Sequence, residues 1–262
     1  MSHHKEPGVP SDSGRRVPPS MSTALQSRRI DQTVHEPENV TNVLDKGFLA
    51  LDGVLATDLA VANGARVSFN LASQEMTAKE EGLIRFLMRD HHGSPFEHGY
   101  FRFIVKAPIF VVREHHRHRA GHSYNEWSGR YSKMRPEFYI PTNVRTQVGK
   151  PGAYTFEPVD HAVRDAAREE IERQSVEAFA AYERMLELGV AKEVARSVLP
   201  LNMYTTYYWS CNPRSLMHFC SLRNSEFAQY EIREYAKAAE GFLERHMPVT
   251  HAAFVANDRR AP

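Results

Sequence analysis

Between Arg113 and Arg135 the chain carries its densest set of side chains that can bind a charged ligand. This stretch, REHHRHRAGHSYNEWSGRYSKMR, holds five Arg, one Lys and four His against two Glu. The guanidinium group binds phosphate and carboxylate through a rigid planar fork. Arg117 and Arg119 lie two residues apart, so they would face two different anions on a helix but share one on a strand. Either geometry predicts an anion-binding site.

Two other interpretations of this stretch compete with an anion site. A solvated charged face is usually rich in Lys and Glu, whereas this stretch is rich in directional donors and acceptors. Those side chains are Ser123, Tyr124, Asn125, Glu126, Ser128 and Tyr131. RNA binding by arginines with interleaved aromatic rings stays open as the alternative function, although no aromatic repeat accompanies them.

Histidines are concentrated in the same region, which raises the question of a metal site. Seven of the 14 histidines fall between His91 and His122. Three of them, His115, His118 and His122, would share one face if this stretch were helical. The spacing lacks the Glu of the zinc-protease pattern, and the arginines beside each candidate ligand would repel a cation. We therefore expect no metal site.

The sequence offers little support for a covalent nucleophile or a glycine-rich nucleotide loop. Ser128 lacks the Gly-x-Ser-x-Gly elbow, and Cys220 lies in an apolar run where a buried structural thiol is expected. Neither the Gly-x-Gly-x-x-Gly pattern nor the phosphate-binding Gly-x-x-x-x-Gly-Lys pattern occurs. Any nucleotide must therefore be held by side chains.

Composition places these residues in an ordinary globular protein. The chain has 262 residues, of which 42% are hydrophobic and 25% charged, and this excludes a wholly disordered or collagen-like protein. Its 33 Lys and Arg against 32 Asp and Glu give a formal charge of +1, so no global field marks a nucleic-acid binder. Two cysteines favour a reducing compartment, and the apolar stretch 101–112 is too short to span a bilayer. We expect a cytoplasmic protein without nucleic-acid or membrane partners.

The elements that must position these side chains follow from periodicity and from Pro and Gly. Residues 1–40 hold five of the 15 prolines and few large apolar residues, so we predict a disordered arm there, within which Met21 is a second possible start. Residues 41–262 are expected to form one folded domain. Periodicity predicts helices over 80–88, 166–188, 191–198, 214–222 and 227–245, and strands over 101–106 and 204–209. Their irregular alternation favours an α+β fold, with a mixed or antiparallel sheet packed against helices.

Three motifs in the basic stretch carry a resemblance to a known family. Arg117-His-Arg119, Ser123-Tyr-Asn-Glu126 and Ser128-Gly-Arg-Tyr131 resemble the signature of the flavin-dependent thymidylate synthases. Further segments resemble that family in family order: Asp45-Lys-Gly-Phe48, Ala65-Arg-Val-Ser68, Ser94-Pro-Phe-Glu-His98, Lys106-Ala-Pro-Ile-Phe110, Arg196-Ser-Val-Leu-Pro200 and Asn212-Pro-Arg-Ser-Leu-Met217. The resemblance covers most of the chain from Val43 to Phe254.

The resemblance implies an activity, cofactors and an assembly. Members of that family make dTMP from dUMP, take the one-carbon unit from methylenetetrahydrofolate, and use FAD that NADPH reduces, releasing tetrahydrofolate. They are homotetramers of α+β fold with active sites at subunit interfaces.

The resemblance also implies roles for individual residues. The implied flavin-binding residues are His92, Ser94, Arg117, His118, Arg119, Glu126, Asn212, Pro213, Arg214 and His218. The implied dUMP-binding residues are Glu114, His115, His116, Arg117, Glu126, Trp127, Ser128, Gly129, Arg130, Arg196 and Arg223. Arg223 matches the catalytic residue that polarises the uracil ring.

The chain departs from the family pattern at two places. Eight residues, 120–127, separate Arg119 from Ser128, where the family usually has seven. Glu114 stands where many members have Gln, so this side chain either only accepts hydrogen bonds or is protonated.

Overall fold

A computed structural model describes residues 29–32, 35–150 and 153–262 of the chain. Most of the predicted arm, residues 1–28 and 33–34, lies outside the described residues, so its disorder stays a prediction. Two short 3₁₀ turns, Ile30–Gln32 and Pro37–Asn39, precede the first strand, which begins at Val40.

Seven strands and eight α-helices build the described part of the chain. The strands are β1 (Val40–Val43), β2 (Gly47–Leu55), β3 (Tyr100–Pro108), β4 (His122–Glu126), β5 (Arg145–Lys150), β6 (Ala153–Pro158) and β7 (Tyr204–Cys211). The helices are α1 (Asp58–Arg66), α2 (Ala78–Arg89), α3 (Ile109–His115), α4 (His161–Glu187), α5 (Lys192–Ala195), α6 (Pro213–Arg223), α7 (Tyr230–His246) and α8 (Pro248–Ala256). In this part of the chain, no helix is both long and apolar enough to cross a lipid bilayer.

Five strands form one sheet, and the other two form a separate hairpin. The sheet has the order β1-β2-β3-β7-β4, and β5 pairs with β6. Every pairing is antiparallel. Because helices pack against an antiparallel sheet rather than cross over between parallel strands, the predicted α+β fold is confirmed.

The central strands of the sheet present aromatic side chains to α6 and α7. Phe103 of β3 lies opposite Trp209 of β7, with ring centroids 4.9 Å apart. Phe219 of α6 lies 5.1 Å from the Trp209 ring, and Phe242 of α7 lies 5.6 Å from the Phe103 ring. Buried aromatic pairs contribute both area and specific geometry, so they fix α6, and with it Arg223, against the sheet.

Helix α4 holds the loop at the end of the basic stretch. Its N-terminus is capped by the Asp160 carboxylate, and it buries a stripe formed by Ser175, Phe179 and Tyr182. The Tyr182 hydroxyl accepts a hydrogen bond from the backbone N–H of Met134 at 3.1 Å. A second, smaller core therefore forms beneath residues 127–135.

The β5–β6 hairpin is anchored to α7 by a buried ion pair. Both terminal nitrogens of Arg145 donate to the Glu231 carboxylate at 3.0 Å. The Arg145 guanidinium also lies 5.6 Å from the Phe156 ring centroid and 5.7 Å from that of Tyr230. Hydrogen-bonded charge pairs and cation–π contacts of this kind hold a hairpin whose side chains, apart from that of Arg145, are exposed.

Most predicted elements are present, with a few corrected boundaries. The long helix begins at His161 rather than at 166, because Asp160 supplies a cap. The prediction that the last long helix starts at Phe227 was wrong. The side chain of Ser225 accepts the Phe227 N–H in a local turn, and α7 begins at Tyr230. The predicted helix 191–198 divides into α5 and a 3₁₀ turn over 196–198.

Asp58 ties α1 to α8 and provides a test of the packing. Its buried carboxylate accepts the backbone N–H of Val249 at 2.9 Å, and both the N–H and the hydroxyl of Thr250 at 2.8 and 2.6 Å. It therefore caps α8 from another helix. We expect Asp58→Ala to lower the free energy of unfolding by about 3 kcal/mol, measured by urea denaturation. Thr57→Ala, which removes an exposed cap, should cost about 1 kcal/mol, and equal losses would contradict this account.

Candidate functional site

The basic stretch runs from the end of a helix to an edge strand of the sheet. Helix α3 ends at His115, residues 116–121 form a loop, and β4 starts at His122. Arg117 and Arg119 lie in this loop, so neither the helical nor the strand geometry considered above applies to them. The loop turns at Gly121, whose φ of +71° is a left-handed conformation that favours glycine.

Three donors of Arg223 are held in a fixed orientation at the end of α6. One terminal nitrogen donates to Glu114 Oε2 at 2.9 Å, and the other donates to the Glu114 carbonyl at 3.2 Å. Its Nε donates to His118 Nε2 at 3.0 Å. Partial burial raises the pKa of Glu114, while the guanidinium of Arg223 opposes that rise. Sequence elements about a hundred residues apart therefore form one cluster, which we call the Arg223 cluster: Glu114, His118 and Arg223.

His118, in this cluster, and His122, beside it, are uncharged at neutral pH. Burial is the main cause that lowers the pKa of both His118 and His122 to about 4, and the Arg223 guanidinium lowers that of His118 further. His122 Nδ1 accepts a hydrogen bond from Trp209 Nε1 at 2.9 Å. A neutral imidazole accepts through one nitrogen, so both rings act as acceptors that orient a neighbouring donor.

His115 and His116 occupy different environments. His115 is 1% exposed, and its Nδ1 lies 2.6 Å from the Tyr207 hydroxyl. Its ring lies 4.5 Å from the Phe219 ring, and burial holds its pKa well below the usual range. His116 is half-buried, with its ring 4.4 Å from that of Tyr124. His115 therefore supports the loop from within the core.

A second group of predicted residues lines a cavity of about 430 Å³ beside the turn after β4. The predicted residues among its lining are Glu126, Trp127, Ser128, Gly129 and Arg196. A Cβ on Gly129 would lie 2.8 Å from the sulfur of Met134 and 3.3 Å from Cδ of Arg196. Gly129 therefore lets the backbone approach the Arg196 side chain closely. Arg130 points to Glu193, with 3.2 Å between Nε and Oε2.

Helix α6 starts beside the turn that follows α2. The side chain of Asn212 caps α6 by accepting the Ser215 N–H at 2.8 Å, and Pro213 occupies its first position. Arg214 packs against Gly93, where a Cβ would come within 2.5 Å of the guanidinium carbon. The predicted residues His92 and Ser94 flank Gly93, and both are exposed. Arg214 also donates to Glu97 at 2.6 Å and to the Pro262 carbonyl at 2.5 Å.

Three of the predicted arginines are free to bind an anion. Within residues 29–32, 35–150 and 153–262, Arg117, Arg119 and Arg196 are exposed and have neither a hydrogen-bond acceptor nor an acidic partner. The other two arginines of the predicted dUMP site, Arg130 and Arg223, are paired with Glu193 and Glu114. The fold therefore presents unpaired guanidinium groups where the sequence predicts an anion.

The possible metal ligands and the two thiols of the described residues lie as follows. Among the described residues, His, Cys, Asp and Glu side chains form no group of three or more that could hold a metal ion. Cys211 and Cys220 are both buried, and burial raises the pKa of both thiols well above the usual range. A thiol in such surroundings is a poor nucleophile.

Comparison with a family profile and comparison with individual proteins give the same family. A profile of the family described as thymidylate synthase complementing protein matches residues 53–249. A flavin-dependent thymidylate synthase of Streptomyces coelicolor is 47% identical over 225 residues, covering 79% of this chain and 90% of that protein. This chain belongs to the flavin-dependent thymidylate synthase family. The synthase of Thermotoga neapolitana is 46% identical over 214 residues, covering 81% of this chain and 93% of that protein.

Solved structures of similar proteins share the flavin-dependent thymidylate synthase fold. A UMP/dUMP methylase, PolB of Streptomyces cacaoi bound with 5-Br dUMP, superposes with a TM-score of 0.77 at 39% identity. The match covers 85% of this chain and 100% of that chain. The resemblance drawn from motifs is therefore confirmed, and so is the assignment of this chain to an enzyme family.

Some residues that shape the site carry no signal in the sequence. Thr205 donates its hydroxyl to Glu126 Oε1 at 2.7 Å, and Ser215 donates to the Ala120 carbonyl at 3.0 Å. Both contacts join segments about 80 or more residues apart. A lone Ser or Thr in an apolar strand or a helix start gives no indication of such a partner, so only the fold identifies them.

Proposed function

We propose that this chain methylates dUMP to dTMP, taking the one-carbon unit from methylenetetrahydrofolate and releasing tetrahydrofolate. The proposal includes FAD as the flavin and NADPH as the reductant. Family membership supports this reaction, and the similar PolB methylase bound with 5-Br dUMP supports dUMP as the nucleotide. The same membership favours the enzyme over the alternative of an RNA-binding protein.

The observation that carries the proposal is the set of unpaired guanidinium groups in the family motifs. Arg117, Arg119 and Arg196 are exposed, have no partner in the described part of the chain, and all three lie in motifs that resemble those of the family. Nucleotide phosphates and the folate tail are all anionic, and planar guanidinium forks match them. We assign these three arginines to anionic ligands.

The cavity beside Arg196 suits the phosphate of dUMP. Backbone N–H groups at Ser128 and Gly129 can approach a phosphate because Gly129 has no side chain, and Arg196 adds a charged donor. Arg130 lies beside this cavity through its contact with Glu193, and Glu126 and Trp127 line its wall.

The Arg223 cluster suits the uracil end. Glu114 and His118 hold the Arg223 guanidinium rigid, so it can stabilise negative charge that develops on the ring without reorganising. His116 and Arg117 follow Glu114 in the chain and complete the proposed nucleotide segment. His115 contributes from the core, by supporting the loop that carries them.

The residues proposed for the flavin fit that group. Gly93 and Arg214 bring the turn His92–Ser94 against the start of α6, so residues more than a hundred positions apart share one surface. Arg117 and Arg119 are unpaired donors for a pyrophosphate, and the capped N-terminus of α6 adds favourable polarity. The remaining proposed residues are His118, Glu126, Asn212, Pro213 and His218. When bound, the flavin would supply the hydride that reduces the transferred carbon.

The proposal extends to assembly and location. In a single chain, none of the three residues of the Arg223 cluster lines the cavity beside Arg196. A homotetramer with active sites at subunit interfaces, as the resemblance implies, would bring such clusters together. We propose this assembly and a cytoplasmic location.

The proposed function is tested with purified protein. We expect a flavin absorbance spectrum, oxidation of NADPH that requires dUMP, and dTMP formed only when methylenetetrahydrofolate is present. The proposed enzymatic function would be refuted if the purified protein held no flavin and did not oxidise NADPH after FAD was added. Salt-sensitive RNA binding that free dUMP does not displace would support the alternative.

A further inference from the structure

One large cavity joins the substrate segment to residues 29–31. It has a volume of about 1030 Å³ and lies between the end of β4, the loop 132–136 and α4. Arg29, Ile30 and Asp31 form one of its walls, and Glu126 and Trp127 form another. The turn Ile30–Gln32 lies against β3. Residues that the sequence assigns to a disordered arm therefore contact the surroundings of the proposed site.

Asp31 is held in this cavity by one partner. Its carboxylate forms an ion pair with the Arg135 guanidinium, and the two side chains are only 9% and 24% exposed. Its second oxygen, Oδ1, is buried without a hydrogen-bond partner among the described residues. An ion pair this far from bulk water is screened less than a surface pair, so its geometry constrains both side chains.

Arg135 passes that constraint on to the substrate segment. Its guanidinium carbon lies 4.7 Å from the ring centroid of Trp127, within the range of a cation–π contact. The Trp127 backbone is fixed separately, because its N–H donates to the Thr206 carbonyl at 2.9 Å. The indole ring also packs against the smaller core, so Arg135 is one of the contacts that orient it.

The Trp127 ring lies between two cavities. It lines the large cavity beside Asp31 and also the cavity with Ser128, Gly129 and Arg196, which we assign to the dUMP phosphate. Movement of the ring would change the wall of the phosphate cavity. The chain of contacts therefore runs from Asp31 through Arg135 and Trp127 to the proposed nucleotide site.

We propose that Asp31 is a positioning residue for dUMP binding, acting through Arg135 on Trp127. The proposal rests on the proposed function, since it concerns the nucleotide cavity assigned there. The family profile matches residues 53–249, so Asp31 lies outside the segment that this chain shares with the profile. Through its ion pair with Arg135, a residue outside the matched segment stabilises the part of the chain that carries Trp127.

Steady-state kinetics with the full chain test this role. Asp31→Asn keeps the shape but removes the charge, and we expect about a tenfold rise in the KM for dUMP with kcat changed less than about twofold. Asp31→Glu should restore the KM to within about threefold of wild type. Asp52→Asn is the matched control. Asp52 also forms an ion pair with an arginine, Arg102, at 2.5 Å, and neither residue lines either of the two cavities. An unchanged KM in Asp31→Asn, or an equal rise in Asp52→Asn, would overturn the proposal.

Tryptophan fluorescence supplies a readout that does not depend on turnover. The chain has two tryptophans, and Trp209 is 1% exposed, so acrylamide quenching reports mainly on Trp127. We expect Asp31→Asn to increase quenching of Trp127. Without the Asp31 charge, the Arg135 guanidinium is no longer held over the indole ring, which becomes more accessible to acrylamide. If wild-type protein failed to methylate dUMP, the proposed function would fall while this comparison still tested the contact.

Arg135→Lys covers the case in which Asp31→Asn does not fold. Lysine keeps the charge but loses the planar stacking on the indole ring. Folded Arg135→Lys protein should show the same rise in KM and in quenching, and wild-type values of both would refute the role of Arg135.

Discussion

Replacing Arg223 by alanine should lower kcat for dUMP methylation by about a hundred- to a thousandfold and leave the flavin bound. Removing one preorganised donor that stabilises developing charge typically has an effect of this size. The donors of Arg223 are fixed by Glu114 and His118, so the guanidinium meets the uracil without reorganising. Stopped-flow or steady-state measurement of dTMP formation, with flavin absorbance recorded on the same sample, checks the expectation.

Two further variants separate this role from a structural one. Arg223→Lys keeps the charge but lacks the planar fork whose separate nitrogens donate to Glu114 and to His118, so we expect an intermediate rate. Arg164→Ala removes a partly exposed arginine paired with the adjacent Asp165 and should behave as wild type. Loss of FAD together with activity in Arg223→Ala would show that the residue holds the cofactor or the fold instead.

Replacing Arg196 by alanine should raise the KM for dUMP by about 30-fold with little change in kcat. A charge-assisted hydrogen bond to a phosphate contributes about 2 kcal/mol, and 1.4 kcal/mol corresponds to a factor of about ten. Arg196 has no partner in the described part of the chain, so its removal leaves no buried acid unpaired. The loss should therefore reflect the phosphate contact alone.

Deoxyuridine, which lacks the phosphate, provides the control for Arg196. Its weak binding, measured by competition with dUMP, should be equal in wild-type protein and in Arg196→Ala. Arg184→Ala removes another exposed arginine, on α4, and should leave the KM for dUMP unchanged. A KM for dUMP that Arg196→Ala does not alter would place the phosphate elsewhere.

The family and the fold class could be predicted from the sequence because they depend on short motifs and on local periodicity, both of which lie within short stretches of the chain. The motifs around Arg117 and Ser128 are contiguous, and helices such as α4 follow from a repeating apolar stripe. The first two strands, α1, α8 and the β5–β6 hairpin could not be predicted with the same rules. The hairpin, for example, has exposed side chains on both faces and is held by Arg145 through Glu231, a partner 86 residues away.

The sequence indicated which residues belong to the candidate site better than it indicated how those residues are arranged. Local spacing suggested one helical face for three histidines, yet α3 ends at His115 and the loop separates them. Burial of His115 depends on Tyr207 and Phe219, which belong to other elements. Pairing of Arg223 with Glu114 depends likewise on how α6 packs against α3. Such contacts are set by tertiary structure, which local patterns do not contain.

The central claim is that one dUMP molecule binds with its phosphate at Arg196 and its uracil at Arg223 in the assembled enzyme. A crystal structure of the holoenzyme with 5-bromo-dUMP tests it most directly, because anomalous scattering locates the bromine independently of the phosphate. We expect the bromine peak beside the Arg223 cluster and phosphate density against Ser128, Gly129 and Arg196. Nucleotide whose phosphate lies away from Arg196, or whose uracil lies away from Arg223, would contradict the account.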